Sequence, residues 1–283
     1  MEKKLLSPMN DVVFKKLFVE NRNALIGLLK CILNLPDEEY VGLEILNPIL
    51  LPEHIGAKTC VLDIKLRTAS GKIIYIELQV KPQDYIWKRF QFYSTRVLSD
   101  EGKRGGDYDK IPDIIGILIS DFIVVNDDTR CCHCFSLYDK EADIEFKNSI
   151  KLYTVETKKI QKLDGSLLSA WMLYFRAEKK EEFDMLQQID PAIAEACGAV
   201  RRLSEDESFR LVVEAREKAF RDLVSAEASA LRKGKQEERQ AVAANALRKK
   251  IPVETVAEIT GLSVEEVNQI ADGLADQRAG FCA

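Results

Sequence analysis

Histidine is scarce in these 283 residues: only His54 and His133 occur, in unrelated contexts. A nucleophile activated by histidine therefore has no support. Long apolar runs are missing too. The longest, "IIGILIS" at Ile114–Ser120, falls far short of the roughly 20 apolar residues that a membrane-spanning helix needs. Positive charge is not in excess, since the formal net charge is −5. That argues against a generally basic coat while leaving room for a local basic surface. The seven cysteines are odd in number and lack regular spacing, which favours reduced thiols over a disulfide framework. "CCHCF", Cys131 to Phe135, lacks zinc-site spacing. Strand alternation sends Cys132 and Cys134 to one face, Cys131 and His133 to the other, and no second ligand pair lies at a usual distance. A strand with incidental thiols is expected there. The opening "MEKKLLSPMND" turns polar too soon for a secretory leader. The expectation is a cytoplasmic protein with no membrane association.

A hydrophobic fraction of 46% with 31% charged residues describes a globular chain, long enough for one full core plus an appendage. It reads in three parts. Residues 1–180 mix helices and strands, 181–250 form a helical, charge-rich connector, and 251–283 form a small helix-turn-helix-like tail. The first helix is predicted within "SPMNDVVFKKLFVENRNALIGLLKCIL", with Ser7 as N-cap, Pro8 at the first helical position and a break near Glu20–Asn23. Strands are predicted at Val41–Leu50, Thr59–Thr68 and Lys72–Val80. A helix over "DYIWKRFQFYSTRVLSD", the strand "IPDIIGILIS", and a strand pair around Cys131–Tyr138 and Ile150–Glu156 follow.

The stretch Val61 to Gln83, "VLDIKLRTASGKIIYIELQVKPQ", carries most of the chemistry. Leu62, Ile64 and Leu66 alternate with Val61, Asp63, Lys65 and Arg67; Ile74, Ile76, Leu78 and Val80 alternate with Tyr75, Glu77 and Gln79. "TASGK" reads as the turn of a hairpin. Setting apolar against apolar pairs Leu66 with Ile74, Ile64 with Ile76 and Leu62 with Leu78. The same register puts Asp63 opposite Glu77 and Val61 opposite Gln79, and a one-residue slip would turn an apolar face outward. Carboxylates facing each other across a pair, with Cβ atoms about 5 Å apart, require a shared proton, a flanking cation or a metal. Magnesium suits carboxylate, carbonyl and water ligands. The structural alternative is an exposed face on which Lys65 or Arg67 neutralises the acids.

Asp63 followed, after a glycine hairpin, by Glu77-Leu78-Gln79 resembles the PD-(D/E)xK nuclease core in its E-x-Q form. More narrowly, the chain resembles the recombination-promoting nucleases, the PD-(D/E)xK family transposases. "SPMNDVVFKKLF", "LDIKLRTASGKIIYIELQV", "KRFQFYSTRVL", "GGDYDKIPDIIGILI" and "LYTVETKKI" match in order and spacing, over roughly residues 5–180. The resemblance implies an α/β restriction-endonuclease-like αβββαβ core, its mixed sheet flanked by helices, with a helical C-terminal extension. It also implies magnesium-dependent hydrolysis of DNA phosphodiester bonds, in recombination or mobile-element biology, with Mn²⁺ or Ca²⁺ as substitute ions. Asp63, Glu77 and the Leu78 main-chain carbonyl would hold the metal, with Asp11 as a further candidate ligand. Gln79 replaces the superfamily's more common lysine and would orient the attacking water by hydrogen bonds. For Asp11 the structural alternative is a first-turn acid favoured by the helix dipole.

On the next helix, Tyr85, Arg89, Tyr93 and Arg96 share a stripe beside apolar Ile86, Phe90 and Val97. Arg89 and Tyr93 match positions the family uses; with Arg96 they are candidate DNA contacts, or else braces for the acids. The loop "GKRGGDY" could offer main-chain N–H groups to phosphate, although no helix start follows it and a plain loop accounts for it as well. In the tail, Ala257, Gly261 and Val267 have helix-turn-helix spacing, with Val256, Leu262 and Ile270 completing the apolar set. The would-be reading segment is acidic at Glu265 and Glu266, so packing or homodimer contact through these helices stands beside DNA binding. Residues 216–250 hold ten basic and five acidic residues, a source of phosphate attraction or a solvated helix face. Two function classes follow: a metal-dependent DNA endonuclease, or a catalytically inactive nuclease-like module that binds DNA or protein.

Overall fold

The computed structural model describes residues 4–50, 60–102, 107–146 and 150–279. The chain divides into two compact units, residues 1–213 and 214–283. In the first, helix α1 spans Asp11–Glu20 and α2 spans Arg22–Ile32, so the expected helix does break, at Asn21. Its start lies later than the sequence suggests. Asn10, not Ser7, is the N-cap, accepting from the Val12 and Val13 N–H groups. Pro8 and Met9 lie in a turn closed by the Asn10 N–H on the Ser7 carbonyl at 3.1 Å. An asparagine that satisfies two orphan N–H groups outcompetes the serine three residues earlier.

Short strands β1 (Glu44–Leu46), β2 (Ile49–Leu50) and β3 (Cys60–Val61) precede β4 (Ile64–Arg67) and β5 (Ile73–Gln79). Helix α3 (Ile86–Gly102) leads to β6 (Ile114–Ser120), then β7 (Cys132–Phe135), β8 (Tyr138–Asp139), β9 (Ile144–Glu145) and β10 (Ile150–Glu156). One sheet runs in the order β1-β4-β5-β6-β10-β7. β1, β4 and β5 are antiparallel, while β5, β6 and β10 are parallel, which makes the sheet mixed. Reading α2, β1, β4, β5, α3 and β6 in chain order gives the expected αβββαβ arrangement.

Both faces of this sheet are covered. Ile64, Leu66, Ile74, Ile76, Ile115, Ile117 and Ile119 pack with Phe14, Leu17 and Phe18 of α1. The same core takes in Trp171 and Phe175 of α4 (Leu167–Arg176), Phe183 of α5 (Lys180–Leu186) and Val200 of α6 (Pro191–Glu205). On the opposite face Ile73, Tyr75, Ile114 and Leu118 meet Ile86, Phe90 and Val97 of α3. Each large side chain buried this way contributes roughly 1.5–3 kcal/mol, so α1 and α3 are firmly seated on the sheet. Gly116 is the small residue that this packing requires. A Cβ there would stand 2.5 Å from the Tyr75 hydroxyl, which is buried against Ser94 of α3.

In the second unit, α7 (Glu207–Arg248), which begins in the first, continues to α8 (Val253–Thr260) and α9 (Val264–Ala279). Ala243, Ala246, Val256, Leu262 and Val267 form its core, with Ala257 and Ile270 at the edge, as the tail's spacing predicts. α8 stops at Gly261, whose φ of +67° is left-handed, the usual C-terminal glycine stop. Glu266 does not face outward as a bare acid. It accepts from the Ser263 N–H at 2.8 Å while its own N–H donates to the Ser263 hydroxyl, and Gln236 of α7 donates to its other oxygen. Glu265 remains exposed.

Candidate active site

The hairpin register forms as the apolar faces dictate: Ile64 lies opposite Ile76 and Leu66 opposite Ile74. Its turn closes with the Thr68 N–H on the Lys72 carbonyl at 2.9 Å. Beyond Ile64 the expectation fails. The expected Leu62–Leu78 and Val61–Gln79 pairs do not form, because β3 leaves the sheet and pairs with β2, placing Val61 opposite Ile49. The chain bends at Asp63, and the bend breaks the alternation. Leu62 joins the α3 side of the sheet, while Ile64 joins the α1 side.

This bend is what shapes the site. Released from the ladder, the Asp63 side chain turns to β5, and its Oδ2 accepts the Leu78 N–H at 2.7 Å. In an extended strand the carbonyl of a residue faces the same edge as its N–H, so the Leu78 carbonyl also looks toward Asp63. Asp63 Oδ1 meets Lys15 Nζ of α1 at 2.9 Å. Glu77 sits two residues before Gln79 on the same face of β5, only 4% exposed. Its Oε2 lies 3.8 Å from an Arg89 nitrogen, and its Oε1 is buried with no hydrogen-bond partner among the described residues. Burial first, and the nearby Asp63 second, hold the Glu77 carboxyl well above the usual carboxylate range; Arg89, a backbone hydrogen bond from Asp63, and Lys15 act against that rise.

Glu77, Gln79, Arg89 and Tyr93 line one small cavity with Ile86, Phe90 and Leu118. The Arg89 guanidinium lies over the Tyr93 ring, 5.0 Å from its centroid, so the stripe read on α3 does face the acids at these two positions. Burial raises the Tyr93 hydroxyl, an effect opposed by Arg89 and reinforced by Glu77. Arg96, one turn further, acts on the Cys60 thiol, which burial raises and Arg96 lowers. Tyr85 precedes α3 and is exposed. Asp11 occupies the first turn of α1, one turn before Lys15 on the same side.

The neutralising partners differ from those expected. Lys65 and Arg67 do not serve the acids. Lys65 is 2% exposed and pairs with Glu101 at 2.8 Å and Asp100 at 3.6 Å, while Arg67 reaches Glu44 and Glu101. The face expected to be solvated is covered by α3. Lys15, the residue missed in the sequence, takes their place at Asp63. Its available signal was its position four residues after Asp11, within the block "SPMNDVVFKKLF".

A hard divalent cation fits this donor set: two carboxylates, one of them with a buried oxygen left without a partner, and a main-chain carbonyl on the same edge. Among the described residues, no group of three or more His, Cys, Asp and Glu side chains is placed to hold a metal. An ion here would therefore draw its remaining ligands from main chain and water. The loop residues 103–106 of the phosphate-loop reading, and His54, lie outside the described residues. Cys131, Cys132 and Cys134 carry free thiols, with Cys131 packed into the core beside the sheet. No described helix is long and apolar enough to cross a membrane.

Comparison with known proteins agrees with this architecture. A search of curated proteins and of solved structures found no match. The family model described as PD-(D/E)XK nuclease family transposase matches residues 8–230, which takes in α1, the hairpin, α3 and the whole sheet. On that match, spanning most of its length, the chain belongs to the PD-(D/E)XK nuclease family transposases.

Proposed function

We propose that this chain is a metal-dependent DNA endonuclease, with Mg²⁺ as its working ion and a role in recombination or mobile-element movement. The observation that carries the reading is the buried Glu77 carboxyl beside Asp63, with one oxygen left unpaired. A buried polar atom without a partner costs about 1–3 kcal/mol, and a fold has no reason to keep that arrangement unless something binds there. Asp63, Glu77 and the Leu78 carbonyl are the proposed ligands, with Asp11 as a candidate outer one. Bound there, the ion would lower the pKa of a water and offset charge on the scissile phosphate.

The chain's own groups divide the remaining work. Gln79 has no charge and is a poor base, but its amide both donates and accepts, so it orients the attacking water. Arg89 offers a planar fork of donors to a phosphate oxygen and is steadied by the Tyr93 ring beneath it. Arg96 continues the same helix toward the DNA backbone. Ile86, Phe90 and Leu118 line the apolar part of the cavity, lowering the local dielectric and strengthening each of these interactions. Plasmid cleavage followed across a Mg²⁺ titration, with Asp63→Ala and Glu77→Ala as controls, tests the assignment. Nicking by wild type alone supports it. Equal cleavage by wild type and either variant, or none by wild type at any Mg²⁺ concentration, rejects it.

A further inference from the structure

Gln79, two residues after Glu77 on the same strand face, brings no charge to the site. Lys65 is two residues from Asp63 but is sealed under α3 by Glu101 and Asp100. Arg67 is committed to Glu44 and Glu101. Arg89 stands 3.8 Å from Glu77, at the outer limit of an ion pair. The close contact comes from elsewhere, from Lys15 at 2.9 Å on Asp63 Oδ1.

We propose that Lys15 is the functional cation of this E-x-Q site, a positioning residue that balances Asp63 and Glu77 from α1 and supplies the charge Gln79 cannot. The inference rests on the endonuclease reading above. Two neighbouring lysines make the case by contrast. Lys16 turns along its own helix to Glu20 and lies against the Phe209 ring, as a surface lysine does. Lys15 crosses from α1 to the sheet instead. Its backbone cannot drift, because Phe14, Leu17 and Phe18 of the same helix are fully buried and Asn10 caps its start. Its side chain is 37% exposed, so the ammonium group is held at the acids yet open to an incoming phosphate, which Lys65 is not.

A cation placed on Asp63 Oδ1 competes with a divalent ion for the same oxygen, and this gives a readout that needs no DNA. The full-length chain and its Lys15→Gln, Lys15→Met and Lys15→Arg variants are titrated with Mn²⁺ by calorimetry. Single-turnover plasmid cleavage is then measured at saturating Mg²⁺, with circular dichroism melts on each variant. Lys15→Gln and Lys15→Met are expected to bind Mn²⁺ roughly fivefold more tightly, since a partly exposed ion pair has been removed. Their cleavage rate is expected to fall about 100-fold with little change in half-saturating DNA, because the preorganised charge around Asp63 is disturbed while DNA binding is not. Lys15→Arg keeps the charge and is expected to stay near wild type in both. A structural salt bridge alone would lower the melting temperature and leave Mn²⁺ affinity and rate unchanged, and that result overturns the proposal. So does wild-type cleavage by Lys15→Gln. If the wild-type chain cuts no plasmid, the endonuclease reading fails separately, and the Mn²⁺ titration alone decides whether Lys15 acts on the site.

Discussion

Glu77 on β5 and Glu156 on β10 are buried carboxylates near the carboxyl ends of strands that flank β6, yet their surroundings differ. Glu156 is fully enclosed and fully served. Val124 and Val125 donate their N–H groups to one oxygen at 2.8 and 3.2 Å, Lys159 lies 3.3 Å away, and His133 stands beside it at 3.5 Å. Glu77 has a loose arginine, a backbone hydrogen bond from Asp63, that same acid's charge beside it, and an oxygen with no partner among the described residues. A satisfied buried charge holds a loop and a strand together, whereas an under-satisfied one has hydrogen-bonding capacity left over. Burial alone does not separate the two; the inventory of partners does.

The sharpest way to break this contrast is to remove the acids. Asp63→Ala or Glu77→Ala is expected to cut Mg²⁺-dependent plasmid cleavage by roughly 1,000-fold or more while circular dichroism stays native, in line with the loss of an electrostatic centre. The converse substitution probes the scaffold. Glu156→Gln removes the only carboxylate paired, among the described residues, with the buried Lys159, leaving its ammonium the Val125 carbonyl at 2.6 Å, and should cost about 3 kcal/mol in urea unfolding, whereas Glu77→Gln should cost little or stabilise the metal-free chain.

Gln79→Glu comes next. A third carboxylate on the Glu77 face should draw an extra ion contact and lower the rate with Mg²⁺ about tenfold relative to Mn²⁺, visible in parallel titrations of the two metals. A smaller effect follows from pH. The folded, metal-free chain holds the Glu77 carboxyl well above its ordinary value of 4.5, so folding takes up a proton wherever the unfolded chain is ionised. The associated stability is complete below that ordinary value and is lost as pH rises through the folded pKa. Urea melts in EDTA from about pH 5 to about pH 8 should show stability falling in wild type relative to Glu77→Gln. The least effect is expected from deleting residues 214–283. If the basic stretch of α7 binds phosphates, the slope of log K against log salt should shrink by about 0.9 for each phosphate no longer neutralised. An unchanged slope with a halved mass in light scattering would assign those helices to dimer contact.

Much of this organisation was legible in the sequence, for identifiable reasons. The β4–β5 register followed from alternating apolar residues and a glycine turn, both local signals. β6 read as a buried strand because its apolar run is unbroken. Two features were not legible. The bend at Asp63 depends on β3 finding β2, a tertiary choice that alternation within one segment does not encode. The burial of Lys65 depends on Glu101, which sits on the last turn of α3; a charged residue in an alternating strand looks solvated until its distant partner is known. Lys15 was hidden for the same reason, since only the packing of α1 on the sheet brings it to Asp63.

The sheet pairing also bears on when the site comes into being. β4 and β5 are joined by a tight turn and can pair within microseconds of collapse, whereas the Asp63 contact with the Leu78 N–H also needs β3 to find β2. Glu77 becomes enclosed only when β6 docks in parallel through the long α3 crossover, and Arg89 arrives on that same helix. Parallel pairing across such a separation is intrinsically slow. The enclosure of Glu77 is therefore expected to be completed after most of the secondary structure is in place.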